Sequence, residues 1–304
     1  MLCEREKYDK ISEESNRKTG DDMKIIVSGA KGQLGYDVIK RLEALGIQAV
    51  GVDLPELDIT DADAVGAFVS REKPDGFIHC AAYTAVDAAE TEKELCSSVN
   101  EKGTLNIARA CQKNACKLIY ISTDYVFSGE GEEEFETDSP KAPCNHYGAS
   151  KLAGEIAASE NCDKCFIVRI SWVFGVNGKN FVRTMLRLSE TKDELTVVCD
   201  QVGSPTYTED LAVLLCDMIK TEKYGVYHAT NEGLCTWAEF AAEIMRLAGR
   251  KTKIIPVASS EYKTVAVRPL NSRMSKKSLD ENGFSRLPAW QDALERYLGI
   301  LNEC

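Results

Sequence analysis

Short apolar runs alternate with amphipathic stretches from Lys24 onward, and this alternation predicts strands and helices in turn. The runs have the length and the Val, Ile and Phe content of buried strands. They lie at 24–28, 47–52, 77–80, 117–122 and 166–170. Strands separated by helices at this spacing predict an α/β fold, namely a Rossmann-type, doubly wound parallel sheet.

The pattern becomes less regular after Trp172. Helical patterns at 181–188, 210–219, 237–247 and 291–301 alternate there with apolar runs at 195–199, 224–228 and 254–257. We predict a smaller α/β lobe over residues 172–304 that binds the substrate, interleaved with a nucleotide-binding domain over residues 23–171. A cleft is expected between the two.

Residues 1–22 are almost all polar, with mixed charges and no periodicity, and they predict a disordered N-terminal extension. The extension lacks the apolar core of a secretory signal, and no apolar run in the chain is long enough to span a bilayer. The net charge of -11 argues against nucleic acid or an anionic membrane as a partner.

The 12 cysteines are scattered singly through the chain, which predicts free thiols in a reducing, cytoplasmic environment. Cys162 and Cys165 form a CxxC pair, but no second pair completes a zinc site. The three histidines are dispersed. No metal site is predicted.

Gly29, Gly32 and Gly35 follow the first predicted strand and open the first predicted helix. In this context the first glycine permits a tight turn, the second lets the backbone approach a pyrophosphate, and the third lets helix and strand pack closely. The helix N-terminus then offers N–H groups to the phosphates. The first domain is therefore predicted to bind NAD(P), as NADPH or NADH.

Asp53 ends the second predicted strand, where a carboxylate accepts hydrogen bonds from the adenosine ribose. It favours NADH because it would repel a 2′-phosphate, but Lys31 could offset that repulsion, so use of NADPH stays open. Asp58 and Ile59 come next. Asp58 is predicted either to contact the adenine edge or to serve as a capping or loop carboxylate.

Tyr147 and Lys151 are one turn apart on the same face of a predicted helix. An ammonium favours an ionised phenol, so we expect a lowered pKa for Tyr147 and proton exchange near neutral pH. Tyr36 and Lys40 share this spacing, and we interpret them as a chance pair on a solvated helix face. Only the first pair follows two strand ends, at 80–84 and 122–127, that are suited to bind a ligand.

Four motifs stand in order along the chain. They are Gly-x-x-Gly-Gln-Leu-Gly at 29–35, Ala-Ala-Tyr-Thr-Ala-Val-Asp-x-Ala-Glu at 81–90, Ser-Thr-Asp-Tyr-Val-Phe at 122–127 and Tyr-Gly-x-Ser-Lys-x-x-Gly-Glu at 147–155. Further matching segments lie at 170–175, 200–206 and 268–272. From Met23 onward the chain thus resembles the extended short-chain dehydrogenase/reductase superfamily, and within it the dTDP-4-dehydrorhamnose reductase family.

This resemblance implies the residues of an active site. The catalytic residues would be Thr123, Tyr147 and Lys151. Beside Gly29, Gly32 and Asp53, the cofactor would be held by Gln33, Leu34, Gly35, Asp58, Ile59, Ala81, Ala82, Tyr83, Tyr147 and Lys151. The substrate would contact Val86, Thr123, Asp124 and Trp172. We add Asn180 and Arg268 as candidates for its diphosphate, with a helix cap and a surface salt bridge as the alternatives.

The activity implied is reduction of the C4 keto group of a nucleotide sugar, dTDP-4-dehydro-L-rhamnose, to dTDP-L-rhamnose, a cell-surface polysaccharide precursor. Tyr147 would donate the proton and Thr123 would polarise the carbonyl. Some relatives place a glutamate near the first helix in a magnesium-bridged dimer contact. The residue here is Asp37, so we do not predict the metal. A homodimer is left as an open alternative.

Two other functions remain open. The first is another sugar-nucleotide short-chain enzyme, an epimerase or a dehydratase. Dehydratases carry Thr-Asp-Glu, whereas Tyr125 follows Asp124 here. The second is a non-catalytic regulatory subunit like the methionine adenosyltransferase beta subunit. The complete set of Thr123, Tyr147 and Lys151 argues against it.

Overall fold

The computed structural model describes residues 23–303, so the extension predicted over residues 1–22 lies outside the described residues. The strands of the described part are β1 (Lys24–Ser28), β2 (Gln48–Val52), β3 (Gly76–His79), β4 (Lys117–Thr123), β5 (Cys165–Ile170), β6 (Val173–Phe174), β7 (Glu194–Val198), β8 (Val202–Gly203), β9 (Thr206–Tyr207), β10 (Gly225–His228), β11 (Cys235–Thr236) and β12 (Lys253–Val257). The five strands predicted for the first domain form within one residue of their predicted bounds.

The helices of the same range alternate with the strands. They are α1 (Gln33–Ala44), α2 (Ala62–Glu72), α3 (Val86–Ala89), α4 (Lys93–Ser97), α5 (Thr104–Lys113), α6 (His146–Asn161), α7 (Phe181–Ser189), α8 (Thr208–Met218), α9 (Trp237–Leu247), α10 (Lys277–Glu281) and α11 (Trp290–Glu303). One turn of π-helix, Ser98–Gly103, joins α4 to α5.

A six-stranded sheet with the order β2-β1-β3-β4-β5-β10 forms the centre of the fold, and every pairing in it is parallel. One face packs against α1 and α8, and the other packs against α2, α5 and α6. Because both faces are covered, the strands are mostly apolar, which is why they were visible in the sequence. The predicted doubly wound sheet is confirmed.

The second lobe holds three two-stranded ladders, β7 with β12, β6 with β9, and β8 with β11. Its core is aromatic and includes Phe174, Tyr207, Phe240 and Tyr297. Within residues 172–304 the chain also returns to the first lobe, because α8 packs against α1 and β10 extends the main sheet beside β5. The two lobes are therefore interleaved.

Several properties of the described range bear on the sequence analysis. Its ten cysteines, from Cys80 to Cys235, are free thiols. Asp37 is buried in α1 and accepts a 2.5 Å hydrogen bond from the Thr208 hydroxyl. Burial raises the pKa of Asp37. No group of side chains in this range could hold a metal ion, and every helix in it is too short or too polar to cross a bilayer.

Candidate active site

A cleft of about 780 Å³ opens at the carboxyl ends of the sheet strands, where the strand order reverses between β1 and β3. Ligands bind at this switch point in open α/β sheets. The residues predicted as site residues that line it are Gly29, Gly32, Gln33, Leu34, Asp53, Asp58, Ile59, Ala81, Ala82, Tyr83, Val86, Thr123, Asp124, Tyr147, Lys151 and Trp172. Gly35, Asn180 and Arg268 are not part of the lining.

The glycine loop has the close packing that the motif predicts. Gly29 has a φ of +67°, and a Cβ there would lie 2.7 Å from the Ala81 nitrogen. A Cβ on Gly35 would lie 2.2 Å from the Gly29 oxygen, so this glycine lets α1 pack behind the loop. The Gly32 N–H closes the turn on the Gly29 oxygen at 2.9 Å. A bare backbone turn at a helix N-terminus fits the diphosphate of a nicotinamide dinucleotide.

Charged groups lie at the end of β2. Asp53 accepts hydrogen bonds from the backbone N–H groups of Lys31 and Leu54, both at 3.1 Å. The Lys31 ammonium pairs with Glu56 at 3.1 Å. Asp58 accepts from the N–H and the hydroxyl of Thr60, which lowers its pKa. Asp58 therefore serves as a loop carboxylate at the rim of the cleft.

Helix α6 presents Tyr147 from its first turn. Asn145 caps this helix, because its side chain accepts from the Gly148 N–H at 2.8 Å. The same side chain donates to the Val267 oxygen at 2.7 Å and so ties the helix to the second lobe. The Tyr147 ring packs edge-on against the Tyr125 ring at 5.5 Å. The helix cap, the bond to the second lobe and the ring contact together fix the position of Tyr147.

Burial decides the ionisation of Tyr147 and Lys151. It raises the pKa of Tyr147, against a smaller lowering through a side-chain hydrogen bond with Thr123. Burial also lowers the pKa of Lys151 to about 7. The Lys151 ammonium donates to the Ile121 oxygen at 2.7 Å and lies 4.1 Å from the centroid of the Tyr120 ring. The expected lowering of the Tyr147 pKa by Lys151 is therefore wrong, because desolvation dominates.

A chain of hydroxyl and carboxyl groups ends at Tyr147. The Thr123 hydroxyl donates to Asp124 Oδ1 at 2.9 Å, and Ser272 from the second lobe donates to Asp124 Oδ2 at 2.5 Å. Burial raises the pKa of Asp124 to about 6, and these two hydrogen bonds oppose the shift. A hydroxyl has one proton, so Thr123 can donate to a carbonyl only when its O–H no longer donates to Asp124.

A buried ion pair between Glu155 and Arg169 links the elements that carry the site. Glu155, on the α6 face that carries Tyr147 and Lys151, pairs with Arg169 of β5 at 2.7 Å. Glu155 also accepts from the Ser122 hydroxyl at 2.5 Å, and Arg169 donates to the Thr137 oxygen at 2.8 Å. The pair therefore joins α6, β4, β5 and the loop after β4.

The two residues proposed for the substrate diphosphate have other partners. Asn180 caps α7, and its amide donates to Gln33 and to the Tyr297 hydroxyl, both at 3.0 Å. Arg268 forms a two-pronged ion pair with Asp87 at 2.8 and 3.0 Å. The structure thus favours the two alternatives, a helix cap and a salt bridge. Asn180 thus holds Gln33, which begins α1 directly after the glycine loop.

Sequence reasoning missed two aromatic residues of the cleft, Trp237 and Tyr125. The first of them stacks on Trp172, which was predicted. Trp172 has a φ of +50°, unusual for a bulky residue, and its ring stacks on Trp237 at 3.9 Å. Trp237 begins α9 and lines the cleft, but no spacing rule connects it with Trp172. Tyr125 also lines the cleft and packs on Tyr147.

Comparisons with known proteins agree with this geometry. The family model for the RmlD substrate binding domain matches residues 23–302. The dTDP-4-dehydrorhamnose reductase of Streptomyces griseus is 39% identical over 276 residues, which cover 88% of this chain and 91% of the relative.

Solved structures extend the likeness. The crystal structure of a dTDP-4-dehydrorhamnose reductase from Clostridium acetobutylicum has a TM-score of 0.90 at 39% identity and covers 92% of this chain and 100% of that one. A dTDP-4-dehydrorhamnose reductase from Bacillus anthracis, in complex with NADP, has a TM-score of 0.89 at 43% identity, with 91% and 98% covered. The chain therefore belongs to the dTDP-4-dehydrorhamnose reductase family, of the extended short-chain dehydrogenase/reductase superfamily.

Proposed function

We propose that the protein catalyses the NADPH- or NADH-dependent reduction of the C4 keto group of dTDP-4-dehydro-L-rhamnose, giving dTDP-L-rhamnose. One observation carries this proposal: the Tyr147 hydroxyl, the Lys151 ammonium and the Thr123 hydroxyl meet in the same cleft as the glycine loop. A non-catalytic binding protein would need the loop but not the three reactive groups.

Tyr147 is the proton donor to the C4 oxygen. Its raised pKa keeps the phenol protonated at neutral pH, as a general acid requires before the reaction. As negative charge develops on the carbonyl oxygen, the phenol proton moves to it and a C4 hydroxyl results. The hydrogen bond between Thr123 and the phenol helps to fix the Tyr147 oxygen in the cleft.

Lys151 stabilises the phenolate that Tyr147 becomes. Its pKa of about 7 lets it hold or release a proton near neutral pH. The reduced nicotinamide supplies the hydride when bound. Asp53 would hold the adenosine ribose, and the backbone of Gly29 and Gly32 would hold the diphosphate. Ala81 and Ala82 are small enough to let the dinucleotide lie against the backbone.

The sugar and its nucleotide carrier are assigned to the outer part of the cleft. Val86, Asp124 and Trp172 line it there, and the Trp172–Trp237 stack offers an apolar wall for a sugar face. We also place the protein in the cytoplasm, where its free thiols would stay reduced. A homodimer is compatible with this assignment.

The test is a coupled measurement on the purified protein with dTDP-4-dehydro-L-rhamnose. Loss of reduced nicotinamide absorbance should match formation of dTDP-L-rhamnose, mole for mole, with NADPH and with NADH. An epimerase would convert a sugar nucleotide without net use of cofactor. A regulatory subunit would bind NADPH without turnover. Either result would contradict the proposal.

A further inference from the structure

Ser272 is the one residue of the second lobe whose side chain is hydrogen-bonded to Asp124, in the described range. It stands 148 positions further along the chain and is only 3% exposed. Its hydroxyl donates to Asp124 Oδ2 at 2.5 Å, while Oδ1 accepts from Thr123 at 2.9 Å. Each oxygen of the carboxylate thus has one hydroxyl donor.

The backbone around Ser272 is fixed from both lobes. The Ser272 N–H donates to the Val202 oxygen at 2.8 Å, and the Asn271 N–H donates to the Gly129 oxygen at 2.8 Å. The Asn271 amide donates to the Glu133 oxygen, in the loop between β4 and α6, also at 2.8 Å. A hydroxyl held this firmly sets the position of the carboxylate it binds.

We infer that Ser272 is a positioning residue for the reduction. It holds the Asp124 carboxylate in the orientation that takes the Thr123 proton, and this fixes the Thr123 hydroxyl beside the Tyr147 hydroxyl. The inference rests on the proposed function, in which Tyr147 is the acid. It gives the second lobe a role in the proton transfer itself, beyond holding the sugar.

The chemistry explains why the donor matters. Backbone N–H groups of Asp124 and Tyr125 also bond to this carboxylate. Without the Ser272 donor it is held less firmly, and Thr123 could then point its proton elsewhere. Hydrogen bonds to charged groups are worth about 1.5–3 kcal/mol, or about 10- to 100-fold in rate when lost only in the transition state. The titratable groups that face Asp124 are Tyr125, Tyr147 and Cys144, and burial raises the pKa of each.

The test compares Ser272→Ala with Ser275→Ala, a buried serine three positions further on. Among the described residues, the Ser275 hydroxyl accepts a long, 3.5 Å contact from the Lys277 N–H. Ser272→Ala should lower kcat at least about tenfold and leave the KM for NADPH unchanged, because the glycine loop is untouched. Ser275→Ala should stay within about twofold of wild type.

A double-mutant cycle with Asp124→Asn separates positioning from a general loss of packing. If Ser272 acts through Asp124, adding Ser272→Ala to Asp124→Asn should lower kcat by less than about twofold further. The inference would be overturned if the losses in kcat of the two single variants multiplied in the double variant. It would also be overturned if Ser272→Ala and Ser275→Ala had the same kcat.

A second readout does not need turnover. Loss of a donor to the carboxylate should raise the pKa of Asp124 in Ser272→Ala, followed by NMR of the protein labelled at aspartate carboxyl carbons. Ser275→Ala should leave the pKa of Asp124 unchanged. If wild type shows no reduction yet this shift appears, the proposed function fails and the hydrogen-bond assignment stands. If the shift is absent, the positioning role fails.

Discussion

In the proposed assignment, Asp53 lies at the adenosine ribose and sets how the two nicotinamide cofactors compete. Its carboxylate lies at the rim of the cleft, bonded to the backbone of Lys31 and Leu54. Two negative charges near a protein surface repel by roughly 1 kcal/mol or more at close range, so a 2′-phosphate is disfavoured there. The Lys31 ammonium is the compensating charge, but it is engaged by Glu56.

We expect Asp53→Ala to lower the KM for NADPH relative to that for NADH by about tenfold, or about 1.4 kcal/mol. Steady-state kinetics with both cofactors measures the ratio. Asp63→Ala, which removes an exposed carboxylate from the first turn of α2, is the control and should leave it unchanged. A ratio that does not move in Asp53→Ala would place the ribose elsewhere.

Residue types alone predicted many of the residues that line the cleft, but not the ionisation of its groups. The glycine triplet, Asp53 and the Tyr147–Lys151 pair could be predicted because their spacing is local. Asn180 and Arg268 could not, since their partners Gln33 and Asp87 are 147 and 181 positions away. The raised pKa of Tyr147 also escaped prediction, because desolvation depends on the packing of the whole fold.

Helix α1 depends on one glycine for its fit against the sheet. A Cβ on Gly35 would lie 2.2 Å from the Gly29 oxygen, and this backbone cannot move without opening the cofactor loop. Gly66 in α2 has nothing within 4 Å of the same atom. The two positions form a matched pair, because both are glycines inside helices of similar length.

Gly35→Ala should therefore destabilise the protein and weaken binding of NADPH, although alanine is the better helix former. Gly66→Ala should raise the free energy of unfolding by up to about 1 kcal/mol, since only helix propensity changes. Urea unfolding and calorimetric titration with NADPH measure the two effects. Equal behaviour of both variants would contradict the packing role of Gly35.

Helix α6 is fixed to the sheet by the Glu155–Arg169 pair, whose side chains are 6% and 2% exposed. Removing one partner of a buried pair leaves an uncompensated charge and costs about 3–5 kcal/mol. Glu155→Gln should lower the free energy of unfolding by an amount of that order, measured in urea. Glu281→Gln breaks an exposed pair with Lys277 and should change it by less than about 0.5 kcal/mol. A small effect of Glu155→Gln would show that Arg169 finds another partner.

The stability of the whole molecule is tied to pH by two buried histidines. Burial lowers the pKa of His79 and of His228 to about 3. Both are neutral in the folded chain, whereas the unfolded chain binds protons below about pH 6.5. Their contribution to stability is fully present above that pH and is lost as the pH falls from about 6.5 toward 3. Asp124, whose pKa is raised, partly opposes this loss between about pH 6 and 4.

We expect the free energy of unfolding to fall with decreasing pH by up to about 2.7 kcal/mol per pH unit from the two histidines together. The double variant His79→Gln/His228→Gln should show a shallower dependence between about pH 7 and pH 5 in urea unfolding. His146→Gln is the control, because His146 is only partly buried. Parallel curves for the double variant and wild type would mean that these histidines are protonated in the fold.

The arrangement of the two lobes brings the reactive groups together, since β4 and α6 supply Thr123 and Tyr147 while the second lobe closes the cleft with Trp172 and Trp237. The doubly wound parallel sheet with its two helical layers could be predicted from apolar runs, whereas the order of its strands could not. The sequence predicted that the two lobes are interleaved, but not that α8 and β10 are the elements that pack on the first lobe. Short apolar runs do not reveal which strand lies beside which.

The role of Tyr147 as the acid is tested most directly by Tyr147→Phe, which removes one oxygen and keeps the ring. In the proposed mechanism the phenol acts in the transition state, so the loss should appear in kcat, by about 10²–10⁴-fold or roughly 3–5 kcal/mol. Affinity for NADPH should change little, because the glycine loop and Lys151 remain. Tyr36→Phe, in the exposed pair with Lys40, should be nearly silent. A Tyr147→Phe protein that keeps more than about a tenth of wild-type turnover would contradict the account, because a positioned acid contributes more than that.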